Sequence, residues 1–434
     1  MMPDATLARD ILGAVDEGFE DQIAFTEALI RFPSLRGAEK PAQDFIAGEL
    51  ERRGYAVDSF TIDIERIHDH PGFSPVVGVD YAQAVNVVAT HRPHRETGRS
   101  LILNGHMDVV PEGPPEMWEV SPPFVPRRVG DWLYGRGGGD MKAGIAANLF
   151  ALDALRRLGF QPAARVHFQS VVEEECTGNG ALACLVEGYT ADAAIIPEPV
   201  DERLVRANVG VLWFDVDVAG HPVHVREAGS GANAIEAGYR VIAALKELAE
   251  AWNAEKSGHP HFAELDHPIN FNVGRIEGGD WASSVPAWCR LSCRIAIYPG
   301  DDPAARAREI EAHLANVLAD DAFLGNRPPK VTWNGFFARG YVLEEGSEAE
   351  AALARAHGLA AGSALSSFVS PAYLDARVFV IYAGMPCLVY GPLSESVHGF
   401  DERVSLASIR RVTGAIALFI ADWCGLEPVT GPEG

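Results

Sequence analysis

The sequence predicts an α/β protein: a mostly parallel sheet flanked by helices, into which a smaller α+β module is inserted. Three observations carry this expectation. Short apolar runs alternate with segments of helical periodicity as far as about residue 207, the pattern of strands joined by crossover helices. Near Asn208 the runs change to apolar-polar alternation, as a strand with one exposed face requires, and a β-α-β-β-α-β order comes next, a split-βαβ (ferredoxin-like) arrangement. Past about Arg339 the α/β pattern returns, so the chain goes out into a second domain and comes back. The expected division is 1–207 with 338–434, and 208–337 as the insertion; 434 residues are too many for one core.

Taken in order, residues 5 to 32 and 40 to 53 carry apolar positions at helical spacing, the second segment stopping at Arg52-Arg53-Gly54. Val85–Ala89 and Leu101–Leu103 read as strands, the latter breaking into a small-residue turn at Asn104-Gly105. A glycine-rich turn, Gly135 to Gly139, leads to a helix from about Lys142 to Leu158. Its apolar face is Ile145, Leu149, Leu152, Leu155 and Leu158, and Gly159 closes it. Further strands are expected at about Arg165–Val172 and Ala193–Ile196. In the insertion the spacing predicts a strand over Leu212–Val218, a helix over Asn233–Trp252, strands over Asn270–Ile276 and Arg290–Tyr298, a helix over Pro303–Leu318 and a strand over Lys330–Trp333. On the return, Val378–Tyr382 reads as helix and Leu388–Tyr390 as strand.

Composition is that of an ordinary globular protein, 47% apolar and 22% charged. A formal net charge of −24 argues against nucleic acid or an anionic membrane surface as partner, since both need clustered Lys and Arg. Most of that excess reads as a solvated acidic face, and part of it can be matched by bound cations. Six cysteines lie scattered, without CxxC or zinc-finger spacing, and read as reduced. Acidic residues stand where a secretory leader would be basic, and the longest apolar stretches, such as Val412–Ala421, are too short to span a bilayer. A cytoplasmic location is the expectation.

The chemistry-bearing residues stand just after the apolar runs. His106 and Asp108 come after the first, Glu174 and Glu175 after the second, Glu198 after the third and His398 after the last, while the glycine turn delivers Asp140. Ligands in open α/β sheets gather at the carboxyl ends of strands, so these loops aim at one crevice. Two imidazoles with several carboxylates and no cysteine suit zinc or a similar divalent ion, and the number of carboxylates suits two ions sharing Asp140. Taken singly, each piece is weak: a histidine after a strand is more often a hydrogen-bonded structural residue, and Glu173-Glu174-Glu175 would ordinarily be a solvated face. The run GRGGGD is no phosphate cradle; it lacks the GxGxxG and GxxxxGK[ST] spacings and ends in an acid that would repel phosphate.

Together GHMDVVP (105–111), GRGGGDMKAG (135–144), EEECTGNGA (173–181), IIPEP (195–199) and VHG (397–399) resemble the di-zinc amidohydrolase family that includes acetylornithine deacetylase, succinyl-diaminopimelate desuccinylase, aminoacylase and carboxypeptidase G. The resemblance covers the whole chain, in the family's order. It implies that His106, Asp140 and Glu198 bind one metal ion and Asp140, Glu175 and His398 the other, with zinc expected and cobalt or manganese acceptable to such ligands. It implies that Asp108 orients His106 from behind, that the peptide after Asp140 is cis, and that Glu174 is the general base, taking a proton from a metal-bridging water and passing it to the leaving amine.

The same resemblance makes the insertion a lid and dimerisation domain. AGHPVHVREAGSGANAIEA (219–237) is similar to the family's lid segment, so His224 would polarise the scissile carbonyl across a homodimer interface, the alternative being a surface histidine at a strand end. His221 reads as structural. Asn233 would support substrate or merely cap its helix, and Arg294 would grip a substrate α-carboxylate or face solvent on its strand. Two departures, Ser284 where relatives commonly carry asparagine before Val-Pro and Leu374 where they often carry threonine before the late aspartate, bear on the substrate side chain. The expected activity is hydrolysis of a linear amide in a small N-acyl amino acid or analogue. A dipeptidase or carboxypeptidase is the alternative within the family, and a non-catalytic binding protein the alternative outside it, disfavoured because every expected ligand and the base are present.

Overall fold

The computed structural model describes residues 3–429. Two helices, Ala5–Glu17 (α1) and Phe19–Ile30 (α2), stand where one continuous helix is predicted. The break falls at Gly18, where a Cβ would overlap the guanidinium of Arg157 2.0 Å away. Then come Lys40–Arg52 (α3), Ala56–Thr61 (β1), Val85–His91 (β2), Leu101–His106 (β3), Ala143–Arg157 (α4), Val166–Val171 (β4), Asn179–Val186 (α5) and Ala193–Ile196 (β5). A second set of elements comes next: Gly210–Ala219 (β6), Ala234–Asn253 (α6), Phe271–Gly278 (β7), Trp288–Ile297 (β8), Pro303–Ala315 (α7) and Lys330–Ala338 (β9). The chain returns through Glu348–Ala361 (α8), Cys387–Val389 (β10) and Leu406–Trp423 (α9).

The main sheet has the order β1-β2-β4-β3-β5-β10. β4, β3, β5 and β10 are parallel neighbours, and β2 and β1 add an antiparallel edge. Every residue of β3, β4 and β5 is buried, the polar Asn104, His167, Gln169 and Ser170 included, as parallel strands covered on both faces require. α4 packs against β3 and β4 and against α9, the apolar C-terminal helix, which is hydrophobic enough to be core without being long enough to leave it.

The expected turn at Asn104-Gly105 is absent. β3 runs on to His106, paired in parallel with β4 from Leu101↔Val166 to His106↔Val171. The small residues are there for packing: the Asn104 amide donates to Gln169 at 3.0 Å, and a Cβ on Gly105 would stand 2.9 Å from Ile145 of α4. Consequently β3, β4 and β5 all end at one edge, just before the acids and imidazole that come after them.

The second sheet is antiparallel with order β7-β8-β6-β9, the split-βαβ arrangement, and α6 and α7 pack against it. It buries its own apolar cluster, including Leu212, Phe214, Leu291 and Ile310. Backbones cross tightly where the chain enters and leaves it: a Cβ on Gly340 would lie 2.3 Å from the Asn208 carbonyl. Val378–Tyr382 is a single wide helical turn. Among the described residues no helix is long and apolar enough to cross a membrane.

Candidate metal centre

The site is built at the carboxyl ends of β3, β4 and β5. β3 ends on His106, whose ring is 1% exposed; its Nδ1 lies 2.9 Å from the backbone carbonyl of Asp108. That acceptor suits a proton on Nδ1 and leaves Nε2 facing the crevice. The Asp108 carboxylate is farther, 3.6 Å from Nδ1, and accepts the backbone N–H groups of Glu174 (3.4 Å) and Glu175 (3.0 Å). Asp108 thus ties the loop after β3 to the loop after β4.

The glycine turn is shaped by close contact. Gly137 has φ +75°, and a Cβ there would come within 2.4 Å of Val109, so only glycine lets the turn lie against the loop after β3. Asp140 sits beyond it, just before α4, and the Asp140–Met141 peptide is cis.

Asp140 divides its two oxygens. Oδ1 is 3.0 Å from His106 Nε2, and Oδ2 is 3.3 Å from His398 Nε2. Further carboxylates stand beside each imidazole: Glu174 and Glu198, both at 3.8 Å from His106, and Glu175 at 3.3 Å from His398. Ligand atoms of His106, Asp140 and Glu175 lie within 4.8 Å of one another. Two atoms bound at about 2.0–2.1 Å to one tetrahedral ion stand roughly 3.3 Å apart, which is the scale of the Asp140–imidazole separations. Two further observations agree. Oε1 of Glu175 and Oε1 of Glu198 are buried without a hydrogen-bond partner, and the charge is unbalanced, with the carboxylates of Asp140, Glu174, Glu175 and Glu198 facing two imidazoles.

The imbalance shows in the titration of every member. Burial alone would lower the His106 pKa, yet Glu174 and Glu198 hold it well above its usual value. Burial and the neighbouring acids push Glu174 well above the carboxylate range and Glu198 up to about 8. Asp140 goes the other way: against its burial, the two imidazoles hold its carboxyl far below the ordinary value.

A cavity of about 600 Å³ opens over these groups, lined by Asp140, Glu174, Glu175, Glu198 and His398 on one side. The other side comes from the second sheet. Trp213 pairs with Arg294 in the β6–β8 register and Arg294 with Asn272 in the β8–β7 register, so three side chains in one cross-strand row reach the cavity. Trp213, Phe336 and Tyr373 form a continuous aromatic wall, with ring centroids 5.1 Å and 4.1 Å apart. The Arg294 guanidinium donates to the Pro371 carbonyl at 3.4 Å, and burial lowers its pKa.

Of the other residues singled out in the sequence, His224, Asn233 and Ser284 are not among those lining the cavity within one chain. His224 is exposed and accepts the Arg226 N–H through Nδ1, and its backbone bridges to exposed Ser284. Asn233 caps α6, its side-chain oxygen accepting the N–H groups of Ile235 and Glu236. His221 stacks on Phe323.

Residues that the sequence pattern does not single out brace the site. Glu173, with φ +69° and 2% exposed, binds Arg36 through both oxygens (2.5 and 2.7 Å) and accepts the hydroxyls of Tyr81 and Thr177. Glu402 is buried against the glycine turn, and Asp375, pushed up to about 7 by burial, accepts the Tyr373 hydroxyl at 2.8 Å beside Glu174. Arg136 and Glu402 had a local signal as well: a charge inside a glycine run, and an acid four positions after a candidate ligand.

Comparison with known proteins adds an independent finding. A profile described as peptidase family M20/M25/M40 matches residues 102–422. The chain is 30% identical, over 97% of its length and 99% of the relative's, to the N-formyl-4-amino-5-aminomethyl-2-methylpyrimidine deformylase of Halalkalibacterium halodurans. It is 26% identical to the succinyl-diaminopimelate desuccinylase of Ralstonia nicotianae, covering 89% of this chain and 95% of that one. The di-peptidase Dug1p of Saccharomyces cerevisiae superposes with a TM-score of 0.78 at 14% identity, over 98% of this chain and 99% of that chain.

Proposed function

We infer from its membership of peptidase family M20/M25/M40, to which this chain belongs, that the protein is a metal-dependent hydrolase of amide bonds that works with two divalent cations. The observation that carries this reading is the division of Asp140 between two imidazoles, with Glu174 and Glu198 beside His106 and Glu175 beside His398. His106, Asp140 and Glu198 hold one ion, and Asp140, Glu175 and His398 the other. Such ions, zinc first and cobalt or manganese also suited to these ligands, supply Lewis acidity at the scissile carbonyl and make water acidic near neutral pH.

The chain's own groups do the rest. Asp108 keeps the His106 loop and the Glu174–Glu175 loop in register. Glu174, buried beside the ligands, takes a proton as water oxygen bonds to the amide carbon, then delivers it to the nitrogen as the C–N bond breaks. The products are a carboxylic acid and an amine. Residues 208–337 act as a lid, a reading supported by their separate sheet and core. Exposed Tyr239, Ile276, Trp281 and Trp288 and the free edge of β7 suit pairing with a second copy, whose His224 would complete the site as oxyanion donor.

The substrate is a small N-acylated amine. Arg294 fits the carboxylate of an N-acyl amino acid. The aromatic wall, together with the deformylase activity for which the relative from Halalkalibacterium halodurans is named, favours a formylated amine carried on a flat heterocycle as the second reading.

The test is metal analysis with amidase assays on formylated aminomethylpyrimidine, N-acyl amino acids and dipeptides, with and without chelator. Two ions per chain and chelator-sensitive release of amine are expected. Glu174→Ala should lose at least about a thousandfold in kcat while keeping its metal. Loss of both ions in that variant would overturn the assignment of base and ligand.

A further inference from the structure

His106 is held at the end of an interior strand, whereas His398 lies on a loop at φ +62° with 53% of its side chain exposed. Something outside the ligand set must hold that loop against Asp140. We propose that Arg136 and Glu402 are a positioning pair that fixes the His398 loop to the Asp140 turn, and so determines retention of the cation held by His398 and Glu175. The proposal rests on the two-cation reading.

Both groups are buried, Arg136 at 2% and Glu402 at 1% exposure, and they form an ion pair at 2.6 Å. Glu402 Oε2, which takes that bond, also accepts the N–H of Gly137 at 3.1 Å. Its Oε1 accepts those of Gly139 (2.9 Å) and of Asp140 itself (3.1 Å). One carboxylate therefore gathers the amides of the glycine turn and the amide of the shared ligand. Arg136 works in the other direction, donating to the carbonyl of Gly399, the residue after His398, at 3.0 Å. A small antiparallel pairing runs alongside, Trp132–Tyr134 against Arg403–Ser405, joining the residues just before the glycine turn to those just after Glu402.

A buried ion pair is weak evidence for stability, because desolvation of both charges offsets most of their attraction and an apolar pair of similar volume often serves as well. What an apolar pair cannot do is accept three backbone N–H groups and donate to a carbonyl. Stability alone does not call for a charged pair here; placement of two loops relative to each other does.

The test uses the full chain freed of metal and titrated with Co²⁺, read by calorimetry and by the visible absorption of the bound ion. Arg136→Met, Glu402→Gln and the double variant Arg136→Met/Glu402→Leu are compared with wild type. The double variant leaves no charge buried alone but strips three N–H groups of their acceptor, so its metal-free melting is followed alongside to show that it is folded. In all three, the Co²⁺ held by His398 and Glu175 should bind at least about tenfold more weakly, and lose more than the ion held by His106 and Glu198, with a changed spectrum for that equivalent. Arg136→Lys, which keeps the charge but not the fork, should fall between. Equal weakening of both ions, or an unchanged ion at His398 and Glu175 in the double variant, overturns the positioning role. A wild type that takes only one ion overturns the two-cation reading itself, and the positioning role with it.

Discussion

Removing the guanidinium of Arg36 probes the brace behind the glutamate pair. In Arg36→Ala, Glu173 keeps the hydroxyls of Tyr81 and Thr177 but loses its only ion-pair partner among the described residues, at a position 2% exposed. Burial lowers the proton affinity of Arg36, yet Glu173, bonded to it through both carboxylate oxygens, holds it above its ordinary value. Breaking a buried pair from one side costs about 3–5 kcal/mol. The Arg36 side chain is 23% exposed, so water reaching the vacated space reduces this to about 2–4 kcal/mol. Glu173→Gln alone should cost less, and the double variant Arg36→Ala/Glu173→Gln less than the sum of the singles, because no charge is left stranded. The assay is urea unfolding of the four proteins at pH 7 with metal present, with amidase activity alongside. Glu173 adjoins Glu174 at a positive φ, so Arg36→Ala should also lower kcat. A loss below about 0.5 kcal/mol in Arg36→Ala, or strict additivity in the double variant, would refute the reasoning.

Two further outcomes are expected. His167 is 6% exposed and is pushed down to about 4 by burial and by Arg165 and Arg92, from an ordinary value of 6.5. The unfolded chain then binds a proton that the native chain refuses, and stability is lost as pH falls from 6.5 toward 4. Between pH 7 and pH 5 wild type should lose about 2 kcal/mol more than His167→Gln, measured by unfolding at each pH; equal losses would show that His167 is not held neutral. Gly335→Ala puts a Cβ 2.6 Å from Trp213 and 3.1 Å from the Cys176 carbonyl, forcing the aromatic wall to shift. A destabilisation of about 1–3 kcal/mol with raised KM is expected, and unchanged KM would mean that Trp213 does not contact substrate.

His106, Glu175 and Glu198 were legible in the sequence because each stands at or after the end of a run that reads as a strand, and Asp140 because a glycine-rich turn leads to it. His106, Glu174, Glu175 and Glu198 come at or directly after the ends of strands that are buried throughout, and the direction of a parallel sheet brings such ends to one edge. The second sheet was legible for a different reason: alternation such as that of β6 records one buried and one wet face. The misread turn at Asn104-Gly105 shows the limit of this reasoning. Small polar residues mean a turn when nothing covers them, and close packing when a helix does.

By itself, then, the chain determined which side chains stand at strand ends and in what order, since periodicity and strand direction are local or nearly so. Tertiary structure alone decided which oxygen of Asp140 meets which imidazole, that Arg36 neutralises Glu173 across 137 positions, and that Glu402 returns across 262 positions to take up the amide of Asp140. Those contacts depend on distances between elements that no local pattern encodes. A buried charge looks the same in a sequence as a solvated one until its partner has a place beside it.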